Sequence, residues 1–145
     1  MNLLLAPNIF LYSLPIAAFL IYLPYMLVAA ERVKLAQSMD SPFEVFSQPR
    51  FYTDKLPDHA KRANWAHQNS FESFIIYAPA AVIAYITGQE SNAALMAVIA
   101  YLIARLLFSV FYILNVAPLR SLMFGIGSLS IFSLYLMSCK TIWLQ

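Results

Sequence analysis

RANWAHQNSFESF, residues 62–74, carries Arg62, Asn69 and Glu72 into the mouth of a long apolar run, and the next charge after Glu72 is Glu90. At 100° per residue, Arg62, Trp65, Asn69, Glu72 and Ile76 fall within an arc of about 80° on one helix face. They form a single stripe, with His67 on the opposite side and Gln68 about a quarter turn away. Whether a carboxylate and an amide at this place carry meaning depends on what surrounds the run.

The chain of 145 residues is 61% hydrophobic and 11% charged, with a mean hydropathy of +0.68. It is more apolar and less charged than ordinary soluble domains, which predicts an integral membrane protein. Four segments supply the roughly 20 residues that a hydrocarbon core of about 30 Å demands of a helix: 8–30, 65–88, 92–114 and 121–143. The second reaches that length only by starting near Trp65, so its polar residues belong to the spanning helix. Strict alternation of the kind that marks a membrane barrel is absent, which leaves helices. Val28-Ala29-Ala30 mimics a signal-peptide cleavage site, yet no Lys or Arg precedes the first run and the run is too long, so it reads as a retained span.

Six of the nine basic residues, Arg32, Lys34, Arg50, Lys55, Lys61 and Arg62, lie in the connection between spans one and two, and Arg120 falls on the same side. The positive-inside rule puts that loop, 31–64, in the cytoplasm and both termini outside. Mixed charge, prolines and aromatics such as Phe43, Phe46, Phe51 and Tyr52 predict a loop partly ordered against the helix ends. The other connections, Gly88–Ser91 and Asn115–Arg120 with Pro118 as a breaker, are short. Short connections make consecutive spans antiparallel neighbours, so the expected fold is an all-α, up-and-down four-helix membrane bundle forming one domain over residues 1–145. Ala80, Ala84 and Gly88 on span two, and Ala93, Ala97, Ala100 and Ala104 on span three, mark faces where helix backbones can approach closely.

Span three carries its own stripe, Tyr101, Arg105, Phe108 and Tyr112, and Arg105 is the sole charge between Glu90 and Arg120. A charge at mid-membrane costs about 2.5 to 3.5 kcal/mol on the insertion scale and normally faces a partner or a wet cavity, which makes Glu72 and Arg105 candidate partners. Two readings stand. In one, Glu72, Asn69 and Arg105 are glue that fixes helix register. In the other, a polar cavity opens to the cytoplasm and gathers Arg62, Asn69, Glu72, Tyr112 and Arg120. Such a set suits a small zwitterionic ligand, with the carboxylate taking an ammonium and the guanidinium groups taking carboxylates.

At these residues the chain resembles the superfamily of membrane-associated proteins in eicosanoid and glutathione metabolism, which includes microsomal glutathione transferases, microsomal prostaglandin E synthase and leukotriene-C synthase. The second-helix motif R-A-x-x-N-x-x-E keeps Ala66, Asn69 and Glu72 in register here. A second block, RLLFSVFYILNVAPLRS from Arg105 to Ser121, is similar to the prostaglandin synthase's third-helix pattern of Arg, Tyr seven residues on, then A-P-x-R-S. The resemblance implies a homotrimer with glutathione as co-substrate, bound between subunits near the cytosolic face. It implies that Asn69 and Glu72, with Arg62 and Arg105 beside them, contact glutathione, that Tyr112 lines the site, and that Arg120 sits near the thiol. A guanidinium there favours the reactive thiolate, which would attack a lipophilic electrophile or a lipid hydroperoxide from the bilayer.

Two departures from the family pattern matter. Trp65 stands where the motif has its arginine, and tryptophan pairs with no carboxylate. Either Arg62, nearly a turn earlier on the same face, takes over that place, or the chain is a non-catalytic trimer that binds lipid or serves as a scaffold. The eight residues from Tyr112 to Arg120 are also one fewer than in the prostaglandin synthase, which puts the place of Arg120 in question. His67 reads as a packing residue, His59 and His67 make a poor metal pair, and the lone Cys139 excludes an intrachain disulfide. No Gly-rich loop, catalytic triad or basic cluster points to nucleotide or nucleic acid. The expected partners are membrane lipids, copies of the chain, glutathione and a lipophilic small molecule. Short termini without a retrieval signal point to a bacterial inner membrane.

Overall fold

The computed structural model describes residues 8–144. Four long helices dominate it: α1 (Asn8–Gln37), α3 (Asp58–Ile86), α4 (Asn92–Ile113) and α5 (Ala117–Trp143). Between α1 and α3 lie the short helix α2 (Pro42–Ser47) and a 3₁₀ turn at Phe51–Lys55. Each long helix is long and apolar enough to cross a membrane. The shortest, α4, has 22 residues and spans about 33 Å at 1.5 Å per residue, just past the thickness of the hydrocarbon core.

Side-chain bonds between helices fix their directions. Tyr77 meets Ser13 and His67 meets Ile21, so α3 runs antiparallel to α1. Ser73 meets Tyr101, Asn69 meets Arg105, and Arg62 meets Ile113, so α4 runs antiparallel to α3. Gly127 lies against Ala104 and Arg105 while Ser91 reaches Met137, which makes α5 antiparallel to α4. The up-and-down order is therefore as expected. Helices α3 and α4 form the shared inner pair, with α1 packed chiefly on α3 and α5 chiefly on α4. Ala80, Ala81, Ala84, Ala94, Ala97 and Val98 let the inner helices approach closely around Tyr77 and Tyr101. Ala93 and Gly88, marked on the same faces, are exposed in the single chain.

Helix boundaries follow local chemistry. α3 ends with Gly88 at a φ of 64°, where the Gln89 N–H reaches back to Ala84 and the Gly88 N–H to Tyr85. Those two bonds complete the helix terminus that glycine favours. α4 ends the same way with Asn115 at 61°, the Val116 N–H bonding Phe111 and the Asn115 N–H bonding Tyr112. Asparagine tolerates the left-handed region that most side chains avoid. The connection is shorter than expected, because α5 starts at Ala117 and takes in Pro118 and Arg120. Pro118 starts this helix rather than breaking one, since the missing N–H falls in a first turn that has no acceptor for it.

The α1–α3 connection packs on the end of α1 through Val45, Tyr52 and Ala36. Tyr52 donates to Glu44 at 3.0 Å, and that carboxylate holds the phenol above its ordinary pKa. His59 and Lys34 both lie within ion-pair distance of Glu31, tying the end of α1 to the start of α3.

Candidate functional site

The stripe read from residues 62–76 is real as a helix face, but the bundle divides it lengthwise. Asn69 and Arg62 lie on the edge turned towards α4. Trp65, 48% exposed, Ile76, 54% exposed, and the exposed Glu72 lie on the edge turned away. Helix periodicity assigns residues to a face, while the direction of that face is set by which neighbour packs on it. The Glu72–Arg105 pair expected from the sequence does not form within the chain: among the described residues the ion pairs involve Glu31 and Asp58 only.

Arg105 is instead held by neutral partners. It is 4% exposed, and its Nη2 donates to Asn69 Oδ1 at 3.1 Å and to Ser70 Oγ at 3.0 Å. Its guanidinium lies over the Phe108 ring, 4.4 Å from the centroid, a contact that offsets part of the cost of a buried cation. Its Nε has no partner among the described residues. The small Gly127 on α5 leaves room for the arginine stem, whose Cδ lies 3.7 Å from where a Cβ would stand.

In front of Asn69 a cavity of 260 Å³ opens between α3, α4 and α5, lined by Asn69, Phe108, Tyr112, Arg120, Ser121 and Phe124. The short α4–α5 turn brings Arg120 over the ring of Tyr112, 4.6 Å from the centroid. The missing residue in the spacing therefore does not part them. Phe108 and Phe124 form the apolar floor, with ring centroids 6.3 Å apart. The polar groups on the wall are one guanidinium, one amide and two hydroxyls, with no carboxylate among them. Such a wall receives acceptor-rich or anionic groups.

The remaining expected site residues lie around this cavity rather than on its wall. Arg105 stands behind Asn69. Arg62 donates from Nε to the carbonyl of Ile113 at 2.9 Å, occupying the last turn of α4, where a cation suits the helix dipole. Glu72 lines a separate lateral hollow with His67, Gln68 and Phe71. His67 itself faces α1, its Nδ1 2.8 Å from the Ile21 carbonyl in the turn before Pro24, between Tyr22 and Tyr25. That is the packing role expected of it. Sequence reading missed Ser121, Phe108 and Phe124 as wall residues. Ser121 stood inside the quoted A-P-x-R-S block, and Phe108 inside the span-three stripe.

A four-span helical membrane protein with a polar cavity at one end of its inner helices is the class that the fold and site define. The model of the MAPEG family matches residues 9–139, so the chain belongs to that family. Comparisons with curated proteins and with solved structures each give no match.

Proposed function

We propose that the protein is a membrane-bound, glutathione-dependent enzyme of transferase or peroxidase type, acting on lipophilic electrophiles or lipid hydroperoxides. The observation that carries this reading is the convergence of Arg120, Tyr112, Asn69 and Ser121 on one cavity with an aromatic floor. Arg120 there lowers the pKa of a bound thiol, and each unit lowered is worth about 1.4 kcal/mol from a cysteine reference near 8.5. The thiolate sulfur forms a bond to an electrophilic carbon and the leaving group takes the electron pair. With a hydroperoxide the sulfur attacks oxygen, the O–O bond breaks and an alcohol leaves; a second glutathione then yields the disulfide and water. Holding both reactants at the cavity supplies the rest of the rate.

The same proposal makes the assembly a homotrimer and the cavity end cytoplasmic, in a bacterial inner membrane. Glu72 follows Asn69 by less than one turn, and Ser73 bonds Tyr101 near the middle of α4, so the exposed Glu72 carboxylate stands at mid-bundle without a partner among the described residues. A carboxylate there is costly in lipid, which favours a neighbouring subunit or a ligand between subunits beside it. The seven basic residues at the cavity end support the orientation.

A second reading, a non-catalytic trimer that has lost glutathione, is favoured by one specific observation. Arg62, the residue placed to stand in for the arginine missing at Trp65, is already engaged by the Ile113 carbonyl. Calorimetry of glutathione and of an S-alkylated analogue with the purified protein separates the two. Saturable binding, at one site per subunit or fewer, supports the enzyme; no binding at millimolar ligand leaves the silent trimer.

A further inference from the structure

We infer that Arg105 is a positioning residue: it orients the Asn69 amide so that Nδ2 donates into the cavity. The inference rests on the glutathione reading for its ligand, but the orientation itself rests on hydrogen-bond chemistry. A guanidinium has donors and no acceptor. The atom of Asn69 that meets Arg105 Nη2 at 3.1 Å is therefore the carbonyl oxygen Oδ1. The NH₂ group is left on the other side of the amide, and it makes no hydrogen bond within the described residues although Asn69 lines the cavity. Arg105 is in turn fixed by Ser70 on the helix it crosses to, by the Phe108 ring and by the fit against Gly127. The amide is thus held in one of its two flips before any ligand arrives.

This arrangement has a consequence for selectivity. With Oδ1 turned to Arg105, the NH₂ is the edge of Asn69 left for the cavity, beside the guanidinium of Arg120. A rotating amide offers donor and acceptor alike, whereas a fixed one favours ligands that put a carboxylate, carbonyl oxygen or thiolate at this spot.

Three substitutions and one spectroscopic measurement test the assignment in the protein in nanodiscs, with glutathione as the probe. Asn69→Asp keeps an acceptor for Arg105, adds an opposite charge to it and deletes the N–H donors. Assembly is expected to stay intact while glutathione binding weakens by about tenfold or more. Arg105→Met removes the guanidinium and leaves no buried charge. It is expected to weaken binding about tenfold in the native background and by less than about twofold in an Asn69→Ala background, because its effect passes through the amide. Equal weakening in both backgrounds, or wild-type binding by Asn69→Asp, overturns the inference. The ligand-free readout is the Asn69 side-chain amide resonance of ¹⁵N-asparagine-labelled protein. A shift on Arg105→Met supports the coupling, and an unmoved resonance overturns it. Failure of the wild type to bind glutathione strikes the proposed function instead, and the amide resonance then decides the inference alone.

Discussion

Helix α3 is hydrogen-bonded along two seams, and the two differ in what they leave over. Against α1, Tyr77 donates to Ser13 at 2.6 Å, Ser13 donates to the Phe10 carbonyl at 2.7 Å, and His67 closes on the Ile21 carbonyl at 2.8 Å. The hydroxyls there are used up within two turns of helix. Against α4, Arg105 engages Asn69 and Ser70, but Asn69 keeps its NH₂ and Arg120 spreads over Tyr112 beside open space. Both seams are polar inside a membrane, so polarity alone does not mark a site. The surplus of donors facing a cavity is what makes the α4 seam the candidate: saturated bonds hold helices together, while unsaturated ones can still bond a ligand.

The largest effect that separates the seams is expected at Arg120. Arg120→Ala should lower turnover with glutathione by about 100-fold, on the order of losing one preorganised charge-stabilising group. The sign of the pH effect is fixed as well. On the glutathione reading proposed above, the Arg120 guanidinium is expected to favour the thiolate and lower the bound thiol's pKa, so its loss should raise that pKa and move the acidic limb of the pH–rate profile to higher pH. Stopped assays over a pH series read both. An unchanged profile makes the α4 seam glue like the other and breaks the comparison.

The α1 seam should respond in stability and not in binding. Ser13→Ala strands the buried Tyr77 hydroxyl without its acceptor, which costs about 1 to 3 kcal/mol, read as a lowered unfolding midpoint in detergent. Glutathione affinity is expected to stay within about twofold, since the change lies in the saturated seam. Tyr77→Phe is milder. It removes the donor and leaves Ser13 bonded to Phe10, so the loss should approach the average of about 0.6 kcal/mol found for hydrogen bonds between membrane helices. If Tyr77→Phe cost more than Ser13→Ala, the stacking of Tyr77 on Tyr101, with ring centroids 3.7 Å apart, would have to depend on the hydroxyl.

This contrast was only half legible in the sequence. Span number, span order and the stripe on α3 follow from hydropathy and a 3.6-residue period, and the A-P-x-R-S block already held Arg120 and Ser121. Periodicity gives the angle between Asn69 and Glu72 but not the direction of α4, so both were expected at the same partner. Packing sent Asn69 inward and left Glu72 outside. Charge complementarity also favoured Glu72 as the partner of Arg105, whereas the bundle surrounds that arginine with an amide, a hydroxyl and a ring. Neutral partners of a buried cation leave no charge pattern to read. Pro118 failed as a breaker because a proline's meaning depends on whether it ends one helix or begins the next.

The smallest expected effect lies behind the site, at Gly127. A Cβ there would meet Arg105 Cδ at 3.7 Å and Ala104 Cβ at 3.9 Å, which is ordinary van der Waals contact. Gly127→Ala should therefore leave glutathione affinity unchanged. It should raise the unfolding midpoint slightly, because alanine in a helix interior is favoured over glycine by up to about 1 kcal/mol. Gly127→Leu has no such room: its added carbons must displace the stem of Arg105, and with it the Asn69 amide. Affinity should fall for leucine and not for alanine. Equal behaviour of the two would mean that Arg105 can move without disturbing the cavity, and the α4 seam would then be looser than its hydrogen bonds imply.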